Sequence, residues 1–273
     1  MNLRYQFLFK KLNHLQERCF IPFVVLGDPS IDISIKIINI LIQNGADALE
    51  LGIPFSDPIA DGITIQKAHS RALSNKISTK QCFDIIKNIR DKYPDIPIGI
   101  LTYANLVFYQ KLSNFYSYCN STGVDSVLIA DLPIEESRYF KEIADKYHIS
   151  SIFICPPDAE ISLIKQIAKI SQSYVYLVSR PGVTGIQHTY SQKLLLQTIQ
   201  KLKKYKSPSI IQGFGIYKSC QIKNILKNGV QGIICGSCIV KIIEDNITNP
   251  NVMITNIQKK IKIFKNETKN IYI

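Results

Sequence analysis

From residue 20 to residue 237 the chain alternates between short apolar runs and amphipathic segments of helix length. No other feature narrows its fold as far. Eight runs read as strands: FIPFVVLG (20–27), ADALELGI (46–53), IPIGILTY (96–103), DSVLIADL (125–132), ISSIFICP (149–156), YVYLVSR (174–180), PSIIQGFG (208–215) and QGIICGS (231–237). Their richness in Ile, Val and Leu suits strands covered on both faces. The segments 31–45, 77–93, 135–148, 162–171, 191–205 and 219–229 carry apolar residues at helical period between them. Residues 31–45 end in Asn-Gly, a usual helix stop, and residues 77–93 open on Ser/Thr caps and end before Pro94. Strand–helix alternation means parallel strands joined by crossovers. Eight such units in 273 residues predict an α/β fold, a (β/α)8 TIM barrel, as one domain over 1–273. Leu3, Phe7, Leu8, Leu12 and Leu15 predict an additional N-terminal helix. An open doubly wound sheet is the rival, but the first strand is followed by GDPS and not by a glycine-rich nucleotide fingerprint.

No apolar run reaches the ~18 residues of a membrane span. The N-terminus lacks the apolar stretch and cleavage site of a secretory signal, so a soluble, cytoplasmic protein is expected. Seven cysteines, at 19, 82, 119, 155, 220, 235 and 238, lie mostly in apolar runs, where they act as small hydrophobes. Cys235-Gly-Ser-Cys238 has C-x-x-C spacing, but no second pair or histidine pair completes a zinc site. The histidines at 14, 69, 148 and 188 form no ligand pattern, and each is expected to have no site role. The net charge of +12 resides in helix-like segments such as 201–206 and 259–265, without the glycine/aromatic interleaving of an RNA-binding module. A basic surface suits a small phosphorylated substrate better than nucleic acid.

In a barrel of this kind chemistry gathers at the C-terminal ends of the strands. The stretch ALELGIPFSDPIADG (48–62) puts Glu50 at such an end, on the strand face it shares with Ala48 and Gly52. A carboxylate between two small residues is expected to face a cavity. Asp57 and Asp61 follow in the next loop. Glycines cluster after strands six, seven and eight, at 182–185, 213–215 and 236. Glycine lets backbone N–H groups approach an anion, and the last two loops are the usual phosphate site of this fold. A phosphate held near Gly185, Gly215, Gly236 and Ser237 is expected.

Several segments carry a resemblance: PFVVLGDP (22–29), ELGIPFSDPIADG (50–62), TYANLVF (102–108), ADLPIEES (130–137), YLVSRPGVTG (176–185), QGFGI (212–216) and GSCIVKIIE (236–244). Together they resemble the alpha subunits of tryptophan synthase, along essentially the whole chain. The resemblance implies cleavage of indole-3-glycerol phosphate to indole and glyceraldehyde 3-phosphate, with no cofactor in this chain. It implies a pyridoxal-phosphate beta subunit as partner in an α₂β₂ assembly, met by the loop 54–62 and the TYANLVF loop. It matches the catalytic pair to Glu50 and Asp61, the tyrosine near the reacting centre to Tyr176, and a threonine that meets the catalytic aspartate on lid closure to Thr184. Phe23, Ile65 and Phe214 match the indole pocket, and Gly185, Gly215, Gly236 and Ser237 match the phosphate contacts. Two departures stand out: Ile63 where the family has Pro, expected to loosen the next helix, and Cys238 where it has Ala, expected to matter little.

The chemistry fits these residue types. Retro-aldol cleavage needs a proton at indole carbon 3, relief of charge at the ring nitrogen and loss of the 3′-hydroxyl proton. Asp61 as carboxylate would hold the ring N–H, and Glu50, its pKa raised by apolar surroundings, would move the protons. No strand end carries the Lys of a Schiff-base aldolase, and no histidines cluster as in a metal-dependent one. Residues 179–192 read as a lid with hinges at Gly182 and Gly185. Asp57 reads as an interface or loop residue, and Asp131 as a loop-ordering acceptor. Two other readings stay open: a catalytically idle barrel that only activates a beta partner, and a different phosphosugar barrel enzyme.

Overall fold

The computed structural model describes residues 2–179, 192–213 and 215–269. The eight apolar runs form eight parallel strands: β1 (Cys19–Val25), β2 (Leu49–Gly52), β3 (Ile98–Thr102), β4 (Ser126–Ile129), β5 (Ser150–Cys155), β6 (Tyr174–Val178), β7 (Ser209–Gly213) and β8 (Gly232–Cys235). They pair in chain order, and β8 returns to β1, with Pro22 beside Cys235, to close a barrel. This is the (β/α)8 architecture expected, with every strand shorter than the apolar run that marks it.

Around the barrel lie α2 (Ile31–Gln43), α3 (Ile63–Ser74), α4 (Thr79–Lys92), α6 (Leu112–Thr122), α7 (Ser137–Lys146), α8 (Ile161–Ile170), α9 (Gln192–Lys204), α10 (Ser219–Lys227) and α11 (Ser237–Asp245). Their ends follow the local chemistry. Ser78 and Gln81 form a reciprocal capping box at the start of α4. Asn44 ends α2, and Gly45 follows with φ of +113°, a backbone that side chains rarely adopt. The TYANLVF segment, expected as a loop, is mostly a short helix, α5 (Ala104–Tyr109). Among the described residues no helix is long and apolar enough to cross a membrane.

The two terminal helices, α1 (Leu3–His14) and α12 (Pro250–Glu267), help to hold the end of the barrel opposite the strands' C-termini. Tyr5 of α1 is fully buried; its hydroxyl lies 3.0 Å from Ser126 Oγ and its ring packs on Tyr174. Gly99 leaves room for this contact, since a Cβ there would sit 2.8 Å from Ser126 Oγ and 3.3 Å from the Tyr5 hydroxyl. Beside it, buried Asp125 accepts from Arg90, Arg4 and the Ile98 backbone N–H. From α12, Lys265 Nζ donates to Glu17 and Asp47, and Asp47 accepts from the Phe20 N–H. Each buried charge here has its partner, which avoids the cost of a lone one. The floor is closed, and the polar cavity lies at the other end.

Candidate active site

Phe23 and Glu50 are register neighbours on β1 and β2. Gly52, expected to leave room beside Glu50, gives that room to the Phe23 ring: a Cβ on Gly52 would lie 2.9 Å from it. Gly236 yields from the other side, where a Cβ would lie 2.8 Å from the same ring. Phe23 is thus seated between two glycines, and Glu50 stands next to it, 2 % exposed. Glu50 Oε1 has no hydrogen-bond partner among the described residues. Burial, and then the nearby charge of Asp61, push its carboxyl up to about 8. It is therefore held mostly protonated at neutral pH.

Asp61 closes the loop after β2, and α3 holds that loop at several points. Gln66 Nε2 donates to the Asp61 carbonyl at 2.8 Å. Phe55 N–H donates to His69 Nδ1 at 3.2 Å, which puts the proton of neutral His69 on Nε2. Nε2 lies 3.3 Å from Asp61 Oδ2, off the line of a good hydrogen bond. The aligned contact to Oδ2 comes from Tyr103, whose hydroxyl donates at 2.6 Å. Burial first, and then the Asp61 charge, raise the Tyr103 pKa, so the phenol stays a donor. Its ring stacks on Phe55 with centroids 5.0 Å apart. Arg71, also on α3, makes a two-pronged ion pair at 2.7 and 2.8 Å with buried Asp28, in the loop after β1.

His69, read from the sequence as having no site role, packs beside Asp61 and holds the backbone of its loop at Phe55. Its position, eight residues beyond Asp61 and alone, gives no sequence signal; the fold turns it back toward the acid. Tyr103 was visible only as one more aromatic at a strand end. His69→Asn keeps an acceptor where Nδ1 stands and is expected to retain turnover. His69→Leu loses that acceptor and is expected to lower kcat about tenfold, the worth of one hydrogen bond at the acid's loop. Steady-state kinetics of the two variants check this.

Tyr176, on β6, is buried across from β7. A Cβ on Gly213 would lie 2.3 Å from its hydroxyl, so only glycine leaves the phenol its place. Its pKa is well raised, by burial first and then by the charges of Glu50 and Asp61. Gly213→Ala is expected to displace this ring and to cost about 1–3 kcal/mol of stability, read from urea unfolding.

Phe23, Glu50, Asp61, Ile65, Tyr176, Gly215, Gly236 and Ser237 line one cavity, together with Leu101, Ile216 and Ile234. Its polar rim includes the start of α11, where Gly236 is the N-cap and Ser237 the first residue. The first N–H groups of a helix lack intrahelical acceptors and favour an anion. Thr184, Gly185 and Phe214, with the segment read as a lid, lie outside the described residues. Two other acids stand apart from this cavity. Asp57 is exposed and meets the Ser56 hydroxyl. Asp131 Oδ1 accepts the Ala104 N–H at 2.8 Å, the loop-ordering contact expected of it. Ile63 is the first residue of α3, where Pro is favoured because no N–H bond is needed; the helix begins there with Ile as well.

Fold and cavity together define a class: a (β/α)8 barrel with two carboxyl groups and a helix N-terminus gathered at the C-terminal mouth of its strands. The family model of the tryptophan synthase alpha chain matches residues 9–269, and the chain belongs to that family. It is 51% identical over 268 residues to the tryptophan synthase alpha chain of Buchnera aphidicola subsp. Schlechtendalia chinensis, covering 97% of this chain and 98% of the relative. It is 49% identical over 265 residues to that of Photorhabdus laumondii, with the same coverage of both. Among solved structures, a chain of the tryptophan synthase complex from Pyrococcus furiosus superposes with a TM-score of 0.80 at 31% identity, covering 91% of this chain and 98% of that one.

Proposed function

We propose that the chain is a carbon–carbon lyase that cleaves indole-3-glycerol phosphate to indole and glyceraldehyde 3-phosphate by a retro-aldol reaction. The observation that carries this reading is the Glu50 carboxyl, buried, raised to about 8 and lining one cavity with Asp61. Glu50 gives its proton to indole carbon 3, and the resulting carboxylate takes the proton of the 3′-hydroxyl as the carbon–carbon bond breaks. Tyr103 holds Asp61 Oδ2, so Oδ1 meets the ring N–H and stabilises the positive charge that develops there. Phe23 and Ile65 supply apolar wall for the indole, with Phe214, while the neutral Tyr176 phenol stands beside the reacting centre. Gly215, Gly236 and Ser237 grip the phosphate through backbone N–H groups and the Ser237 hydroxyl, with Gly185.

The partner in this reading is a beta subunit carrying pyridoxal phosphate, which receives the indole in an α₂β₂ assembly in the cytoplasm. Ile59, Phe108 and Tyr109 support it, as exposed apolar side chains on the loop after β2 and on α5. A solved relative is a tryptophan synthase α₂β₂ complex from a hyperthermophile, Pyrococcus furiosus. The test is an assay of indole released from indole-3-glycerol phosphate, with and without a beta subunit. Release by the chain alone, increased by the partner, is expected. Activation of the partner with no release in either condition would make the barrel catalytically idle.

A further inference from the structure

Cys235 and Cys238 bracket the Gly236–Ser237 turn at the cavity. Cys235 ends β8 and Cys238 is the second residue of α11. The fold brings their sulfurs to 3.3 Å, within thiol hydrogen-bond range. Cys235 Sγ also lies 3.2 Å from the carbonyl oxygen of Ile216, in the segment that follows Gly215. The pair therefore touches both stretches read here as the phosphate grip. Its two members are not alike. With its single proton given to Cys238 and not to the Ile216 carbonyl, the Cys235 thiol, together with the start of α11, favours the thiolate of Cys238, whose pKa is lowered, whereas burial pushes the Cys235 thiol up. Cys238 is also the more accessible, 5 % exposed against 1 %.

We infer that Cys235 and Cys238 form a reversible disulfide within the chain, and that closing it weakens the hold of the adjoining turn on a phosphate dianion. The second half of this inference rests on the phosphate-grip reading; the first does not. The oxidant is a hydroperoxide. The Cys238 thiolate attacks a peroxide oxygen, the O–O bond breaks, and water or an alcohol leaves as the sulfur becomes a sulfenic acid. The Cys235 sulfur then attacks the Cys238 sulfur; the S–S bond forms, the S–O bond breaks, and hydroxide leaves with the Cys235 proton as water. Two electrons and two protons pass to the peroxide. A disulfide holds its sulfurs ~2.0 Å apart, so the pair must contract by more than an ångström. Gly236 is seated against Phe23, so the contraction falls on Ser237 and on the contact to Ile216.

The test treats the whole chain with hydrogen peroxide, maps its peptides without reduction, and measures the affinity for inorganic phosphate by calorimetry. The expected results are a peptide linking Cys235 to Cys238 and phosphate affinity lowered about tenfold, the worth of one hydrogen bond to a charged group. Dithiothreitol restores the affinity, and Cys238→Ala binds phosphate like the reduced chain and ignores peroxide. Oxidation of exposed Cys220 with no Cys235–Cys238 link would overturn the inference. So would a linked pair with unchanged phosphate affinity. Failure of the reduced chain to bind phosphate, with the link still formed, would sink the phosphate-grip reading and leave the disulfide standing.

Discussion

Replacing Glu50 with Gln is expected to lower indole release by about 10²–10⁴-fold, the usual worth of one positioned proton-transfer group. The same change is expected to stabilise the fold. Burial, and then the charge of Asp61, raise this carboxyl to about 8 in the native chain. An unfolded glutamate titrates near ~4.3. Between those values the native state holds a proton that the unfolded state has lost. Stability therefore falls as pH rises through that window and levels off above it. Gln carries no such burden. The gap in unfolding free energy between variant and wild type should open with rising pH across the window and then hold steady, at a magnitude on the order of a few kcal/mol. Calorimetry on both sides of the window measures it. A gap that does not change with pH would mean that Glu50 is not held neutral, and its role as proton donor would fall. Wild-type turnover should decline as pH passes about 8, where the donor loses its proton.

Asp61→Asn is the second large effect, again about 10²–10⁴-fold in turnover. Asn has nearly the shape of Asp without the charge that opposes developing positive charge on the indole ring. Inorganic phosphate should bind the variant as it binds wild type, since Gly215, Gly236 and Ser237 are untouched. The variant's residual activity carries a further signature. The Asp61 charge is the second cause of the raised Glu50 pKa, so its removal should move the alkaline fall in rate to lower pH. A pH–rate profile that does not move would show that the two acids are not coupled. Loss of phosphate binding in this variant would mean that it had failed structurally and not at the ring nitrogen.

The barrel was legible because its signal is repeated. Eight apolar runs separated by amphipathic segments have few other ways to bury both faces of a sheet, and an error in any one leaves the rest intact. Glu50 was legible from its two small neighbours on the strand face, Ala48 and Gly52. The reason for Gly52 was not, because the ring it accommodates, Phe23, lies on another strand. His69 was hidden for a similar reason: a single histidine inside a helix has no pattern, and its contacts to Phe55 and Asp61 exist only once α3 packs against the mouth. The short helix α5 was missed because six residues are too few to show a period. The Cys235–Cys238 spacing was visible, but only the folded chain puts the two sulfurs 3.3 Å apart beside the loop after β7.

Helix α3 fastens more than the acid's loop. Arg71 binds Asp28 behind the first strand, while Gln66 and His69 secure the chain behind the second. One rod is thus bolted to two neighbouring parts of the rim. Neither part can shift outward by itself without breaking an ion pair or pulling on the rod, so the loops after the first two strands are mechanically tied through α3.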